Sequence, residues 1–344
     1  MDEITPPLRI KAVNIGPGYC IPGDWLNNNS NWPKNMEPVA REIFSRRYRA
    51  GIYVAPFVVH EKSRIFRNHP RWILKDEDDN PIAMDRDADG RLYALDGNVE
   101  DARNYIGKVF KKFHEMGFMY YELDRLDWGL QEPSGTQKAK KIKSSVQVLR
   151  SIMEIIRTSV GAGSFITANR SPYSPVIGLV DAVRIDKDQA WKWEEQTTSR
   201  ILDESYNTQY FNNIFWQNDP DVVFLRNYKC DYTAEEQKSL ALWVAFVGGS
   251  IGISDNFKLM DGDKLQLWRF LEPSTRPQSA TLPFWGNNVI NKVAVRKYRK
   301  INAWSVLVLN DTDSVVTESY SVFDLIGLKE AWVFIWEPGF SLGL

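Results

Sequence analysis

The sequence predicts an α/β protein: a (β/α)8 TIM-type barrel whose first strand is missing, followed by a small, partial antiparallel β-sandwich. Three observations lead there. Short apolar runs alternate with longer amphipathic ones from Leu8 to Leu271. The run Phe118–Asp124, FMYYELD, is aromatic and apolar and ends on a carboxylate. That is the pattern of a buried strand that delivers a charged group at its C-terminal end. After Pro283 the texture changes to alternation with a period of two, the signature of half-buried strands.

Taken in order, Leu8–Ile15 reads as the first visible strand. A long loop rich in Gly, Pro and Asn follows and carries Tyr19, Asp24, Trp25 and Trp32. Loops of that length in compact domains are functional or disordered, and the aromatic residues disfavour disorder. Met36–Ala50 is expected to be a helix stopped by Gly51, and Gly51–Phe57, GIYVAPF, a buried strand. Within the insertion Val58–Asp96, the segment Asp85–Gly90 has the spacing that opens a calcium loop. Its twelfth position is Asp96 rather than Glu and no helix precedes it, so it reads as a solvated turn. Helices are then expected at Val99–Gly117, Lys138–Val160, Thr197–Ile214, Thr233–Val247 and Asp263–Leu271. The fourth opens on a capping box, T-A-E-E. Strands are expected at Phe118–Leu123, Ser164–Ala168, Val180–Ile185, Val222–Leu225 and Ser250–Ser254. This gives about seven strand–helix units where a closed barrel needs eight. The domain boundaries expected are 1–280 for the barrel and 281–344 for the β domain, with strands in KVAVRKY, AWSVLVLN, SVVTESYSVF and AWVFIWEP.

Composition excludes several classes. A net charge of -1 gives no electrostatic reason to bind nucleic acid or an anionic membrane. No apolar run is long enough to span a bilayer, and MDEITPPLRI is not a secretory signal, so a cytoplasmic location is the expectation. The 2 cysteines make neither a disulfide framework nor a zinc set, and the 3 histidines have no metal spacing, so no metal site is expected from them. The 13 tryptophans fit a large core or sugar-stacking surfaces. Homo-oligomerisation is left open.

The chemistry lies in paired carboxylates. Two of them flanking a glycosidic bond are the minimal equipment for glycoside hydrolysis. Asp124 is one candidate, and Val180–Asp188, VDAVRIDKD, supplies a second acid, Asp188, with Arg184 beside it. On these residues the chain resembles clan D glycoside hydrolases, most of all the α-galactosidases of family 36. The blocks that carry the resemblance are GDW at Gly23–Trp25, GIYVAPF, HPRWIL at His69–Leu74 and YALD at Tyr93–Asp96. Leu123–Asp124, Pro175–Trp193, Asn218–Asp221, Leu225–Arg226 and Gly248–Asn256 continue the order. Measured against that family, the chain is expected to be truncated at both ends.

The resemblance implies a retaining double displacement on an oligosaccharide or other glycoside, with Asp124 as nucleophile and Asp188 as acid/base. It implies that Arg184 binds near the reacting sugar, that Asp24, Trp25 and Trp193 line the pocket, and that no cofactor is needed. Three departures accompany it. Gly16 and Pro17 stand where the family carries an Asp-Asp pair, Glu122 where it carries Lys, and Asn169 where it often carries Cys. Glu122 and Asn169 are therefore read as substrate-binding residues of a site with altered sugar recognition. The alternative is a carbohydrate-binding paralogue without turnover.

Overall fold

The structure is a computed structural model that describes residues 10–138, 143–185, 192–193, 200–260, 262, 264, 279–283, 292–298, 302–310, 312 and 314–332. In chain order the first strands are β1 (Ala12–Ile15), β2 (Arg49–Val54), β3 (Val58–His60), β4 (Ala83–Asp87), β5 (Gly90–Ala94), β6 (Phe118–Leu123) and β7 (Phe165–Ala168). Then come β8 (Ala182–Arg184), β9 (Gln217–Asp219), β10 (Val222–Val223), β11 (Gly252–Ile253), β12 (Ser279–Pro283), β13 (Lys292–Tyr298) and β14 (Ala303–Leu309). The helices between them are α1 (Glu37–Ser45), α2 (Arg64–Asn68), α3 (Glu100–Glu115), α4 (Gly135–Lys138), α5 (Ser145–Val160), α6 (Arg200–Asn207) and α7 (Ala234–Val247).

The central sheet runs β1-β2-β6-β7-β8-β9, and every pairing in it is parallel. A second parallel pair, β10-β11, follows. Only Pro220 and Asp221 separate β9 from β10, and Asp221 has a φ of 75°. Proline has no N–H to give to a ladder, and the positive φ turns the chain. The strand expected at Val222–Leu225 is therefore a broken one that begins earlier, at Gln217. Its first half escapes the hydrophobic pattern because Gln217, Asn218 and Asp219 are all polar.

Alternation within the parallel strands separates two faces. Ile52, Val54, Tyr121, Leu123, Ile166, Ala168 and Val183 are fully buried. They belong to one apolar core with the inner stripes of α3 (Ala102, Ile106, Val109, Phe110, Phe113) and α5 (Val148, Leu149, Ile152, Met153, Ile156, Val160). Burying each large aliphatic side chain stabilises the fold by about 1.5–3 kcal/mol before entropy is counted. α5 starts on a capping box between Ser144 and Gln147 and ends at Gly161, where φ is 73°. α7 starts on the capping box read in the sequence, with Thr233 and Glu236 as its partners. The insertion after β2 forms its own antiparallel sheet, β3-β5-β4.

β12, β13 and β14 form an antiparallel sheet. Ala294 and Leu309 of that sheet share a core with Leu240, Trp243 and Val244 of α7. Lys292 adds an ion pair to Asp203 at 2.9 Å. The strand expected in SVVTESYSVF is not formed. Ser321 instead caps a short helix, Val322–Ile326, which Gly327 ends in the left-handed region at a φ of 73°. A serine oxygen that accepts a backbone N–H at a helix start outweighs a weak β alternation. The segment AWVFIWEP from residue 333 on, and the helix expected at Asp263–Leu271 apart from Lys264, lie outside the described residues.

Candidate active site

The face of the central sheet opposite the helices is polar, and register brings its side chains together. Tyr53 stands opposite Glu122, Glu122 opposite Thr167, Thr167 opposite Ala182, and Arg184 opposite Asp219. Asp124 and Asn169 follow their strands by one residue and share this face by parity. Gly51 makes the approach of β1 and β6 possible. A Cβ there would lie 2.7 Å from Tyr120 Cδ1 and 2.8 Å from Asn14 Oδ1.

Asp124 leaves the C-terminal end of β6 with both oxygens held. The Tyr53 hydroxyl donates to Oδ2 at 2.7 Å, and the Arg125 backbone N–H donates to Oδ1 at 2.7 Å. Arg125 has a φ of 52°, its guanidinium is 2.6 Å from Asp85 Oδ2, and it lies over the Trp128 ring at 5.0 Å. The insertion sheet is thereby tied to the loop that carries Asp124. Burial, and then the neighbouring Asp124 charge, push the Tyr53 phenol well above its ordinary range, so it remains a donor.

Glu122 sits one layer deeper. Asn169 Nδ2 donates to its Oε1 at 2.9 Å, Asn14 Nδ2 donates to its Oε2, and Arg184 Nη2 is 3.9 Å from Oε1. Burial pushes the Glu122 carboxyl up to about 7; Arg184 opposes the shift, and Asp219, Asp124 and Asp221 add to it. Arg184 is itself engaged by Asp219 at 3.2 Å and Asp221 at 3.0 Å. Thr167 donates to Asp219 Oδ2 at 3.3 Å. Beside Arg184 lies an open cavity of about 380 Å³ lined by Asp127, Leu130, Arg170, Tyr173 and Ile185.

The structure brings Asp124, Glu122, Asn169 and Arg184 into one cluster. Asp188 lies outside the described residues. Asp24 is buried and accepts the backbone N–H groups of Arg64 and Ile65 at 2.8–3.2 Å, so its carboxylate caps α2. Trp25 is buried at a tilt against Tyr53, 6.5 Å between centroids, which places it behind the tyrosine that holds Asp124. Trp193 packs edge-on against Tyr232 at 6.1 Å, beside the core of α7. Sequence reasoning missed Tyr53, Asn14, Asp219 and Asp221. Parity carries a signal for the first, since Tyr53 is two residues beyond Gly51 on a strand paired with FMYYELD. The other three depend on strand order and on the break at Pro220.

Parallel strands flanked by helices, with a carboxylate cluster at the strand ends, define the class: a parallel β/α fold with an acidic site at its strand ends. Comparison with known proteins agrees with it. Residues 20–158, which include Asp124, match the family described as Melibiase. That segment is similar to the melibiase family, and parts of the chain are similar to curated α-galactosidases. The chain is 29% identical to an α-galactosidase of Escherichia coli over 107 residues, 30% of this chain and 14% of that enzyme. It is 37% identical to α-galactosidase C of Emericella nidulans over 60 residues, 15% of this chain and 8% of the other. Among solved structures, the α-galactosidase of Thermus thermophilus in complex with stachyose superimposes with a TM-score of 0.67 at 24% identity, covering 79% of this chain and 60% of that one. A GH27 β-L-arabinopyranosidase of Geobacillus stearothermophilus in complex with arabinose gives 0.65 at 13%, covering 87% and 76%. These structural likenesses speak to the fold, and the chain spans only part of the length of the α-galactosidases it matches. Solved structures named as GH27 and as GH36 enzymes both share this fold.

Proposed function

We propose that the protein is a retaining glycoside hydrolase of the clan D type that cleaves α-galactoside-like bonds, with family 36 the nearer of the two types. One observation carries the reading. Asp124 stands at the C-terminal end of a central parallel strand, with each oxygen held by one donor, inside the melibiase-type segment. Strand ends are where enzymes of this architecture keep their catalytic groups.

In this reading Asp124 attacks the anomeric carbon and forms a glycosyl-enzyme, while Asp188 protonates the departing oxygen. Asp188 then takes a proton from water, which attacks the same carbon and releases the sugar with its configuration retained. Tyr53 and the Arg125 N–H fix the attacking carboxylate. Arg184, Glu122 and Asn169 contact the sugar, Trp25 supports the wall behind Tyr53, and the cavity beside Arg184 takes the leaving group. Closure of the parallel strands into a barrel, followed by a β domain whose sheet begins with β12 at Ser279, belongs to the same reading. The test is a panel of aryl α-glycosides, including the α-D-galactoside and the β-L-arabinopyranoside. Turnover of one member, lost in Asp124→Asn and accompanied by a sugar adduct on Asp124 with a slow-leaving fluoro-sugar, supports the proposal. Sugar binding without turnover by any member supports the binding paralogue instead.

A further inference from the structure

Glu122 sits within an unusual balance of charge. In the described part of the cluster, Glu122, Asp124, Asp219 and Asp221 face the single guanidinium of Arg184. Arg184 is closest to Asp219 and Asp221, at 3.2 and 3.0 Å, and stands off from Glu122 at 3.9 Å. Arg125 is drawn away to Asp85 at 2.6 Å. Among the described residues, the partners that touch Glu122 directly are two neutral amides, Asn14 and Asn169. A carboxylate in such a setting is under-compensated, and its desolvation is offset only in part.

Two further features concern what it can bind. Each Glu122 oxygen takes one amide donor, and a carboxylate oxygen has room for a second. Its side chain is 21% exposed, so the group is reachable from the polar face. Asn169 is 3% exposed, and among the described residues its Oδ1 has no hydrogen-bond partner although its Nδ2 is fixed on Glu122. A buried acceptor without a donor is rare and points to a missing donor group. Among the described residues, the surroundings of Glu122 are thus rich in acceptors and hold one guanidinium at a distance of 3.9 Å.

We propose that Glu122 is the specificity-determining residue of this site and that it selects glycosides whose sugar ring carries an ammonium group. The inference rests on the glycosidase reading and narrows it to the amino-sugar class. An ammonium brings three donors and one positive charge, which suits the Glu122 oxygens, each of which has room for a further donor beside its amide. A ring hydroxyl brings one donor and no charge, and an N-acetyl group adds an acceptor to a site that already has an excess. Sites that bind through buried polar groups discriminate strongly between such analogues.

The test is equilibrium binding of D-galactose, its four monoamino analogues (amine at position 2, 3, 4 or 6) and their N-acetyl derivatives to the full chain. At least one amine is expected to bind ten-fold or more tightly than galactose, with its N-acetyl derivative weaker than galactose. In Glu122→Gln that preference should fall to within about two-fold. Wild-type selectivity carries the test on its own, so a poorly folding variant does not blunt it. Galactose bound as tightly as every amine, or a preference that persists in a folded Glu122→Gln, overturns the proposal and leaves the glycosidase reading standing. Absence of binding by all sugars, together with no turnover of aryl glycosides, removes both.

Discussion

The Tyr53 hydroxyl donates to Oδ2 of Asp124 at 2.7 Å across a sequence separation of 71 residues. Among the described residues it is one of two donors on that carboxylate, and the other is a backbone N–H that no side-chain substitution removes. Tyr53→Phe therefore isolates the side-chain contribution. On an aryl α-glycoside, kcat should fall about 10- to 100-fold, the rate equivalent of the roughly 1.5–3 kcal/mol that a hydrogen bond to a charged group contributes. KM should move less. Unchanged kcat would show that Asp124 needs no fixing, or that it is not the attacking group.

Glu122 gives a pH signature in stability. Its carboxyl stands at about 7 in the fold against an ordinary 4.5, chiefly because it is buried. The folded protein holds that proton more tightly than the unfolded chain. The contribution to stability is therefore complete below about 4.5 and is lost as the pH rises through about 7. Linkage sets its size at on the order of 2–3 kcal/mol, less whatever the neighbouring acids share. Glu122→Gln removes the titration. Urea midpoints at pH 5 and pH 8 should show the variant gaining on the wild type at the higher pH. A difference that does not change with pH contradicts the assignment.

Arg184 is almost enclosed, with a side chain 9% exposed between the carboxylates of Asp219 and Asp221. Removing one member of such a pair strands the others without a counter-charge. Arg184→Met should destabilise the fold by about 3–5 kcal/mol. Asp219→Asn made on top of it should recover part of the loss, with a coupling of about 1–3 kcal/mol in a double-mutant cycle. Strict additivity in denaturation experiments would mean that the two side chains do not interact.

Much of this arrangement is legible in the chain, and the limits are physical. FMYYELD announces both a buried strand and a carboxylate at its end, and T-A-E-E announces the start of α7 correctly. The hydrophobic pattern also finds α3 and α5, because helices of 16 residues carry several turns of apolar stripe. It misses β9, where Gln217, Asn218 and Asp219 form a strand from polar residues that satisfy Arg184, Thr167 and Thr208. It misreads Val322–Ile326, where the Ser321 cap decides the structure. Asp24 illustrates a third limit. Its carboxylate, expected from the sequence to line a pocket, also accepts the N–H groups that begin α2, a contact 40 residues away that local sequence does not show. The contacts of Glu122 with Asn14 and Arg184 likewise depend on strand order, which local sequence does not encode.

Gly51 offers the sharpest test of how closely the first strands approach. Its Cα faces Asn14 on β1 and Tyr120 on β6, so a methyl group would meet Tyr120 Cδ1 at 2.7 Å, Asn14 Oδ1 at 2.8 Å and Asn14 Cα at 3.1 Å. The Tyr120 ring cannot yield easily, because it is stacked on Phe165 at 5.5 Å with an interplanar angle of 5°. The Asn14 amide can yield, but only by giving up its bond to Glu122. Alanine in place of glycine would ordinarily stabilise by about 0.4–1 kcal/mol through the unfolded chain. Here overpacking of about 1–3 kcal/mol outweighs that gain. Gly51→Ala should therefore lower Tm and, by displacing Asn14, weaken sugar binding as well. Adding Asn14→Ala should restore part of the stability, since it removes the Oδ1 contact, but not the binding, since Glu122 still lacks its donor. A single Gly51→Ala variant that melts at or above the wild-type temperature would show that β1, β2 and β6 do not meet at this distance.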